Sequence, residues 1–231
     1  MDYISLARKF LPKPVKGWIK SHHNVANILD ALLYMKIREI KVHTDLETML
    51  SFNEREYLFR LAASNNPEHA IVEIGCYEGG SSYFLGKGAE KSGSSVYTID
   101  PFDSDLDRQA IECDGSDYLG KKPSIAEVQR NMRRHNLQET VELIEGRSLD
   151  IASIWNHPIG IMFIDGNHKF AYEDYTAWRK HLAEKSVVAF HDSNPNYKHS
   201  RQDVSRAVEK IMWENHFAKV ERFDSITALF T

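Results

Sequence analysis

The chain has 231 residues, which is enough for one sizeable domain or for one domain with a short appendage. Its 29 Lys and Arg against 33 Asp and Glu give a net charge of −4, without the basic footprint of a dedicated nucleic-acid binder. The 2 cysteines exclude a disulfide scaffold and favour a reducing, cytoplasmic compartment, and no apolar run is long enough to predict stable membrane insertion.

The first 50 residues are predicted to form a helical N-terminal extension, separate from a domain over residues 51–231. Apolar residues recur at helical spacing over 24–37. Residues 1–23 interleave basic and apolar side chains without the apolar core of a signal peptide, which leaves two hypotheses. One is a helix packed on the domain or on a partner in a homodimer, and the other is an amphipathic arm touching a membrane surface.

Strand and helix patterns alternate through the rest of the chain. A helix is predicted from Asn53, with Glu56 completing its capping box. Strands are predicted over 70–75, 95–99, 141–144, 159–164, 187–190, 217–223 and 226–230, and helices over 81–91, 124–136, 172–182 and 203–215. Continuous apolar strands flanked by helices indicate an α/β fold: a doubly wound, mostly parallel seven-stranded sheet. The Asp224-Ser225 turn predicts an antiparallel C-terminal hairpin.

Polar residues follow five consecutive predicted strands, where open parallel sheets bind their ligands. These strand ends comprise residues 73–81, Asp100, 146–148, 165–168 and 191–193. The first is a glycine-rich turn, but Tyr77 stands where a dinucleotide-binding turn needs glycine. Glu73 and Glu78 would repel a diphosphate, so the turn favours a ligand with a cationic centre. Asp100 can accept hydrogen bonds from ribose hydroxyls.

These residues resemble a known family. Glu73-x-Gly75-x-x-x-Gly79, with an acid after the second strand, resembles class I S-adenosylmethionine-dependent methyltransferases. Phe163-Ile-Asp-Gly-Asn-His168 and Phe190-His-Asp192 narrow the resemblance to methyltransferase family 24, small-molecule O-methyltransferases related to macrolide-sugar O-methyltransferases. The resemblance covers about residues 50–231. It implies a Rossmann-like fold and methylation of a hydroxyl on a sugar or small metabolite.

The resemblance also implies which residues bind the cofactor. They are Glu73, Gly75, Gly79, Ser81, Asp100, Arg147 and Ser148. The first four form the turn against the methionine moiety, the acid after the second strand holds the ribose, and the last two enclose the adenine.

Metal-dependent members of the family bind a divalent cation with acids at the fourth and fifth strand ends. The corresponding residues here are Asp165, His191 and Asp192, and Mg²⁺ is the expected ion. An imidazole ligand at 191 would shift preference towards Mn²⁺, Fe²⁺ or Zn²⁺. His168 is the predicted general base, with Asp165 beside it. The structural alternatives are a helix cap for Asp165, a hydrogen-bonded His191 and a surface His168.

The acceptor is expected to be covered by residues 1–50, by the long acidic loop over 101–123 and by the loop over 194–201. Two other functions remain open at this point. One is a non-catalytic S-adenosylmethionine-binding interaction protein. The other is a metal-dependent hydrolase, which would leave the glycine-rich turn and Asp100 without a role.

Overall fold

The computed structural model describes residues 46, 48–102 and 123–231. The chain from Leu46 to Thr231 forms one compact unit. The predicted helix over 24–37 and most of the predicted acidic loop over 101–123 lie outside the described residues. In the part of the chain that is described, no helix is both long and apolar enough to cross a membrane.

The described residues form one sheet and its flanking helices. The strands are β1 (Ala70–Ile74), β2 (Val96–Asp100), β3 (Val141–Glu145), β4 (Ile159–Ile164), β5 (Leu182–Phe190), β6 (Lys219–Phe223) and β7 (Ile226–Phe230). The α-helices are α1 (Phe52–Ala63), α2 (Gly80–Ser92), α3 (Ile125–Arg134), α4 (Ser148–Ile154), α5 (Ala171–Trp178) and α6 (Gln202–Glu214). Short 3₁₀ turns occupy His168–Phe170 and Arg179–His181.

The seven strands have the order β3-β2-β1-β4-β5-β7-β6. The first five in this order are parallel, and β7 pairs antiparallel with both β5 and β6. The chain runs outward from β1 to β3 and then returns to β4 on the other side of β1. Strand order therefore reverses between β1 and β4, and the predicted doubly wound fold with its C-terminal hairpin is confirmed.

The central strands are buried on both faces. Every residue of β1 and β4 is buried, because helices cover the sheet on either side. One core cluster joins Met162 and Ile164 of β4 to Trp178 of α5 and Val208 of α6. Helices α1 and α2 pack closely on each other, where a side chain at Gly88 would collide with the backbone of α1.

Several element boundaries differ from the sequence predictions. Helix α1 begins earlier than predicted, because its capping box pairs Ser51 with Glu54 rather than Asn53 with Glu56. The short helix α4 was not predicted, and β5 begins at Leu182, where a helix was expected to end. Trp213 fits the apolar stripe of α6 by its spacing, but it is 88% exposed.

Candidate functional site

The turns after β1 and β4 lie against each other at the point where strand order reverses. Gly75 has a φ of 91°, and its N–H donates to the Ile99 carbonyl at 2.9 Å. Asp165 N–H donates to the Ile74 carbonyl at 2.8 Å. A side chain at Gly75 would collide with the backbone of Asp165 and Gly166, so only glycine permits this approach. The candidate site therefore lies where the ends of β1 and β4 are in backbone contact.

Asp100 fastens the glycine-rich turn to the end of β2. One carboxylate oxygen accepts from the Cys76 N–H at 2.8 Å, and the other accepts from the Phe102 N–H at 2.6 Å. The side chain is buried. Because each carboxylate oxygen has two lone pairs, Asp100 can still accept hydrogen bonds from a ligand.

Glu73 is a fully buried acid beneath the turn. It lies beside Thr98 in the β1–β2 register and accepts from the hydroxyls of Ser82 and Thr98 on one oxygen, with Ser81 also nearby. Its second oxygen is buried without a hydrogen-bond partner. Burial outweighs these hydrogen bonds and raises the pKa of Glu73 to about 7.

Three non-glycine residues in the left-handed backbone region follow strands at this edge. Tyr77 has a φ of 49°, Phe102 of 51° and Asp192 of 52°. Such conformations cost free energy for residues with a Cβ and cluster at functional sites. These left-handed residues therefore lie at the carboxyl ends of β1, β2 and β5, the edge of the sheet that carries the candidate site.

The two residues predicted to enclose the adenine lie at the start of α4. Arg147 is its exposed N-cap residue. The Ser148 hydroxyl accepts from the Trp178 indole N–H at 2.8 Å and also bonds Asp174. The Ser148 side chain is thus bonded to two residues of α5, and its backbone takes part in neither contact.

His191 lies between carboxylates from three elements. Its Nδ1 is 3.0 Å from Asp165 and 3.7 Å from Asp192, and its Nε2 is 3.6 Å from Glu54. Burial disfavours a charged ring, but the charge and hydrogen bond of Asp165 and those of Glu54 and Asp192 outweigh it. Together they raise the pKa of His191 to about 11. These carboxylates therefore favour the protonated form of the buried His191 ring.

His168 and His191 face different carboxylate oxygens of Asp192. Its Nε2 is 3.5 Å from the second Asp192 oxygen, and its side chain remains 32% exposed. Burial alone would raise the pKa of Asp192, but the contact with His168 and the charge of His191 lower it. Asn167, not Asp165, caps the 3₁₀ turn that carries His168, so the helix-cap alternative for Asp165 is wrong.

Glu54 is the site residue that sequence reasoning missed. One oxygen accepts from the Ser225 N–H at 2.8 Å and its hydroxyl at 2.6 Å, and the other accepts from the Ser51 N–H at 2.7 Å and faces His191. The side chain is buried, yet these contacts, led by His191, lower the pKa of Glu54 to about 2 despite that burial. The Ser51-x-x-Glu54 capping box was the available signal.

Comparison with known proteins identifies a family and a common fold. A family model described as a methyltransferase domain, family 24, matches residues 72–193. An O-methyltransferase of tomaymycin synthesis from Streptomyces achromogenes, solved with S-adenosylmethionine, is 20% identical; the match covers 86% of this chain and 89% of that one, with a TM-score of 0.56. An O-methyltransferase from Bacillus cereus, solved with S-adenosylhomocysteine, is 19% identical over 94% and 100%, with a TM-score of 0.56. A methyltransferase from Podospora anserina is 16% identical over 97% and 92%, with a TM-score of 0.58.

Proposed function

This chain belongs to methyltransferase family 24 of the class I S-adenosylmethionine-dependent enzymes, and from that premise we propose that it methylates a hydroxyl oxygen of a sugar or another small metabolite. The observation that carries the choice of oxygen is the His168–Asp192 pair at the strand ends beside the glycine-rich turn. A hydroxyl needs a base to take its proton, and an imidazole beside a carboxylate supports that role.

The residues around the β1 turn fit the cofactor. S-adenosylmethionine supplies an activated methyl group on a positively charged sulfur. Asp100 has spare lone pairs for ribose hydroxyls, and Gly75, Gly79 and Ser81 form the turn that would hold the methionine moiety. The unpartnered oxygen of Glu73 adds a buried acceptor beneath that turn. Arg147 and the Ser148 backbone are proposed to border the adenine.

The proposed general base is His168. Asp192 lies 3.5 Å from Nε2 of the ring, so Nδ1 is the nitrogen that we assign to the proton transfer. That nitrogen would take the acceptor's hydroxyl proton as the oxygen forms its bond to the methyl carbon and the carbon–sulfur bond breaks, with S-adenosylhomocysteine as the leaving group. Asp192 orients the ring and stabilises the imidazolium that forms. Asp165 lies at the end of the neighbouring strand and is proposed to position the acceptor.

The predicted divalent cation does not fit the present arrangement of Asp165, His191 and Asp192. Nδ1 of His191 lies within hydrogen-bond distance of Asp165, at 3.0 Å, and Nε2 faces Glu54 at 3.6 Å. In the part of the chain that the structure describes, no group of three or more His, Cys, Asp or Glu side chains is arranged to hold an ion. No step of the proposed mechanism runs through a metal.

The proposal is tested by calorimetric titration with S-adenosylhomocysteine and by transfer of labelled methyl from S-adenosylmethionine to a panel of sugars and glycosylated metabolites. His168→Ala is expected to lower kcat by about 10²–10⁴-fold, because the hydroxyl loses its base, while the Kd for S-adenosylhomocysteine stays unchanged. His216→Ala is the matched control at an exposed histidine.

Failure of the folded protein to bind S-adenosylhomocysteine would overturn the proposed function. Binding without transfer to any hydroxyl acceptor, together with indifference to His168→Ala, would favour the non-catalytic interaction protein instead.

A further inference from the structure

Glu73 has one hydrogen-bonded and one unpartnered carboxyl oxygen beneath the glycine-rich turn. Its side chain is fully buried, and one oxygen accepts from the hydroxyls of Ser82 and Thr98, at 2.6 Å for Thr98. The other oxygen is buried and has no hydrogen-bond partner among the described residues. A buried charged carboxylate is costly unless a cation or several hydrogen bonds stabilise it. The unpartnered oxygen therefore lacks the support that a permanent charge at this depth requires.

The groups that surround Glu73 are neutral or acidic. Hydroxyl groups face it from α2 and β2, and Asp165 adds a negative charge from the end of β4. Burial, helped by the charge of Asp165, raises the pKa of Glu73 to about 7 despite the hydroxyl contacts. The Cys76 thiol of the turn is also buried, and burial together with the charges of Glu73 and Asp100 raises its pKa. These surroundings favour the neutral form of Glu73.

The turn above Glu73 is the segment proposed to hold the methionine moiety of the cofactor. It runs from Gly75 to Gly79, with positive φ values of 91° and 88°, and Ser81 follows in α2. S-adenosylmethionine carries a positively charged sulfonium in that moiety, whereas the sulfur of S-adenosylhomocysteine is neutral. In a protein interior, a nearby positive charge favours the ionised form of a carboxyl group. The methyl donor and its product therefore differ in the property to which a buried neutral acid responds.

Resting on the proposed function, we propose that Glu73 discriminates the methyl donor from its product: it releases its proton to solvent when S-adenosylmethionine binds and keeps that proton when S-adenosylhomocysteine binds. Glu73 is thus a specificity-determining residue for the cofactor. The sulfur becomes neutral when the methyl group leaves, so Glu73 takes a proton back from solvent. The product then lacks the favourable charge contact that held the donor, and this favours its release.

Calorimetric titration of the unaltered protein, in buffers of different ionisation enthalpy, counts the protons that binding releases. At pH 6.5, S-adenosylmethionine is expected to release at least about half a proton per site more than S-adenosylhomocysteine, because most Glu73 side chains are protonated there. Infrared difference spectra are expected to lose a protonated carboxyl band with the donor alone. Equal proton release with the two ligands would overturn the proposal.

Glu73→Gln keeps the shape of the side chain but cannot ionise. Between pH 8 and pH 6, donor affinity is expected to fall about tenfold more in the unaltered protein than in this variant. The amino group of the ligand also titrates near this range, and it contributes equally to both proteins. At pH 8 the variant should bind the donor at least tenfold more weakly, while its affinity for S-adenosylhomocysteine stays within twofold. A folded Glu73→Gln variant with the donor affinity of the unaltered protein would contradict the proposal.

Glu139→Gln is the matched control, because it makes the same change at an exposed carboxyl group. It should leave both affinities and the proton release unchanged. Binding of neither ligand to the folded protein would overturn the proposed function and this proposal with it. Binding of both ligands with equal proton release would count against the role of Glu73 alone.

Discussion

Three buried acids show how local surroundings decide the charge of one residue type. Glu54 faces His191, and its pKa falls although burial opposes this. Glu73 receives only neutral hydroxyl donors, and burial raises its pKa. Asp174 of α5 is likewise buried against Ser148, and burial raises its pKa to about 6. An imidazole neighbour thus favours the ionised acid, whereas burial beside hydroxyl groups favours the neutral form.

Asp174→Asn is expected to stabilise the protein at neutral pH. The Asp174 pKa is about 6 in the folded state, above the value of about 4 in an unfolded chain, so folding favours the protonated acid. Protonated Asp174 therefore contributes its full share of native stability below about pH 4. That share is lost as the pH rises towards 6 and the buried acid ionises. At pH 7 the variant should gain roughly 2 kcal/mol in urea unfolding, and the gain should vanish near pH 4.

The control for this prediction is Glu139→Gln, the same carboxyl-to-amide change in an exposed turn. It should leave the pH dependence of unfolding as it is in the unaltered protein. An Asp174→Asn variant that is less stable than the parent at pH 7 would show that the charged form is the one that Ser148 stabilises.

At the scale of elements, apolar patterns located the buried strands and every described α-helix except α4. Strand β4 and the second hairpin strand, β7, were predicted with their observed bounds, because their residues are almost all buried. Strand β5 was predicted too short, since its first four residues are partly or fully exposed and lack an apolar run. Helix α4 has only seven residues and no side-chain cap, so no local sequence signal predicts it.

The candidate site was predictable only where strand ends bring residues together. Asp165, His191 and Asp192 follow neighbouring parallel strands, and the topology alone makes them meet. The Ser51-x-x-Glu54 capping box places Glu54 in the first turn of α1, but its position beside His191 depends on where α1 docks. The contact between His168 and Asp192 likewise depends on the backbone turn at Asp192, whose φ of 52° no pattern specifies.

The β1 turn is the element on which the cofactor site depends, and two glycine substitutions separate its packing from its backbone conformation. Gly75 and Gly93 both have positive φ, at 91° and 77°. A Cβ at Gly93 would meet only Pro67 at 3.8 Å, so Gly93→Ala should cost about 1 kcal/mol of conformational strain. Gly75→Ala must also displace the backbone of Asp165, and we expect a loss of at least about 3 kcal/mol.

Urea unfolding measures both costs, and titration with S-adenosylhomocysteine follows the turn directly. Gly93→Ala should bind like the unaltered protein, while Gly75→Ala should bind at least tenfold more weakly. Equal costs for the two variants would mean that the β1 turn can move away from β4 without penalty.

Across the whole molecule, the site joins the first helix of the compact unit to its last hairpin. Ser51 donates to the Asp224 carboxylate at 2.6 Å, and Asn194 donates to the Asp224 carbonyl at 2.7 Å. Ser225 is bound by Glu54, and its carbonyl accepts from the Ser193 N–H at 2.8 Å. The segment after β5, which carries part of the candidate site, is therefore hydrogen-bonded to the turn of the C-terminal hairpin. That turn is in turn hydrogen-bonded to the N-terminus of α1.

This connection makes a prediction about where the domain begins. The proposed boundary after residue 50 falls beside Ser51, whereas the compact unit begins at Leu46, and Leu46 and Leu50 are both buried. A chain starting at residue 46 should keep the S-adenosylhomocysteine affinity of the full chain within about twofold, since it retains every contact of Ser51 and Glu54. Its KM for the acceptor should rise, because residues 1–50 are predicted to help cover that substrate.

A chain starting at residue 56 should lose cofactor affinity and unfold at lower urea, since Ser225 and His191 lose their buried partner. Loss of cofactor binding in the chain that starts at residue 46 would place part of the cofactor site, or of the folding core, in residues 1–45.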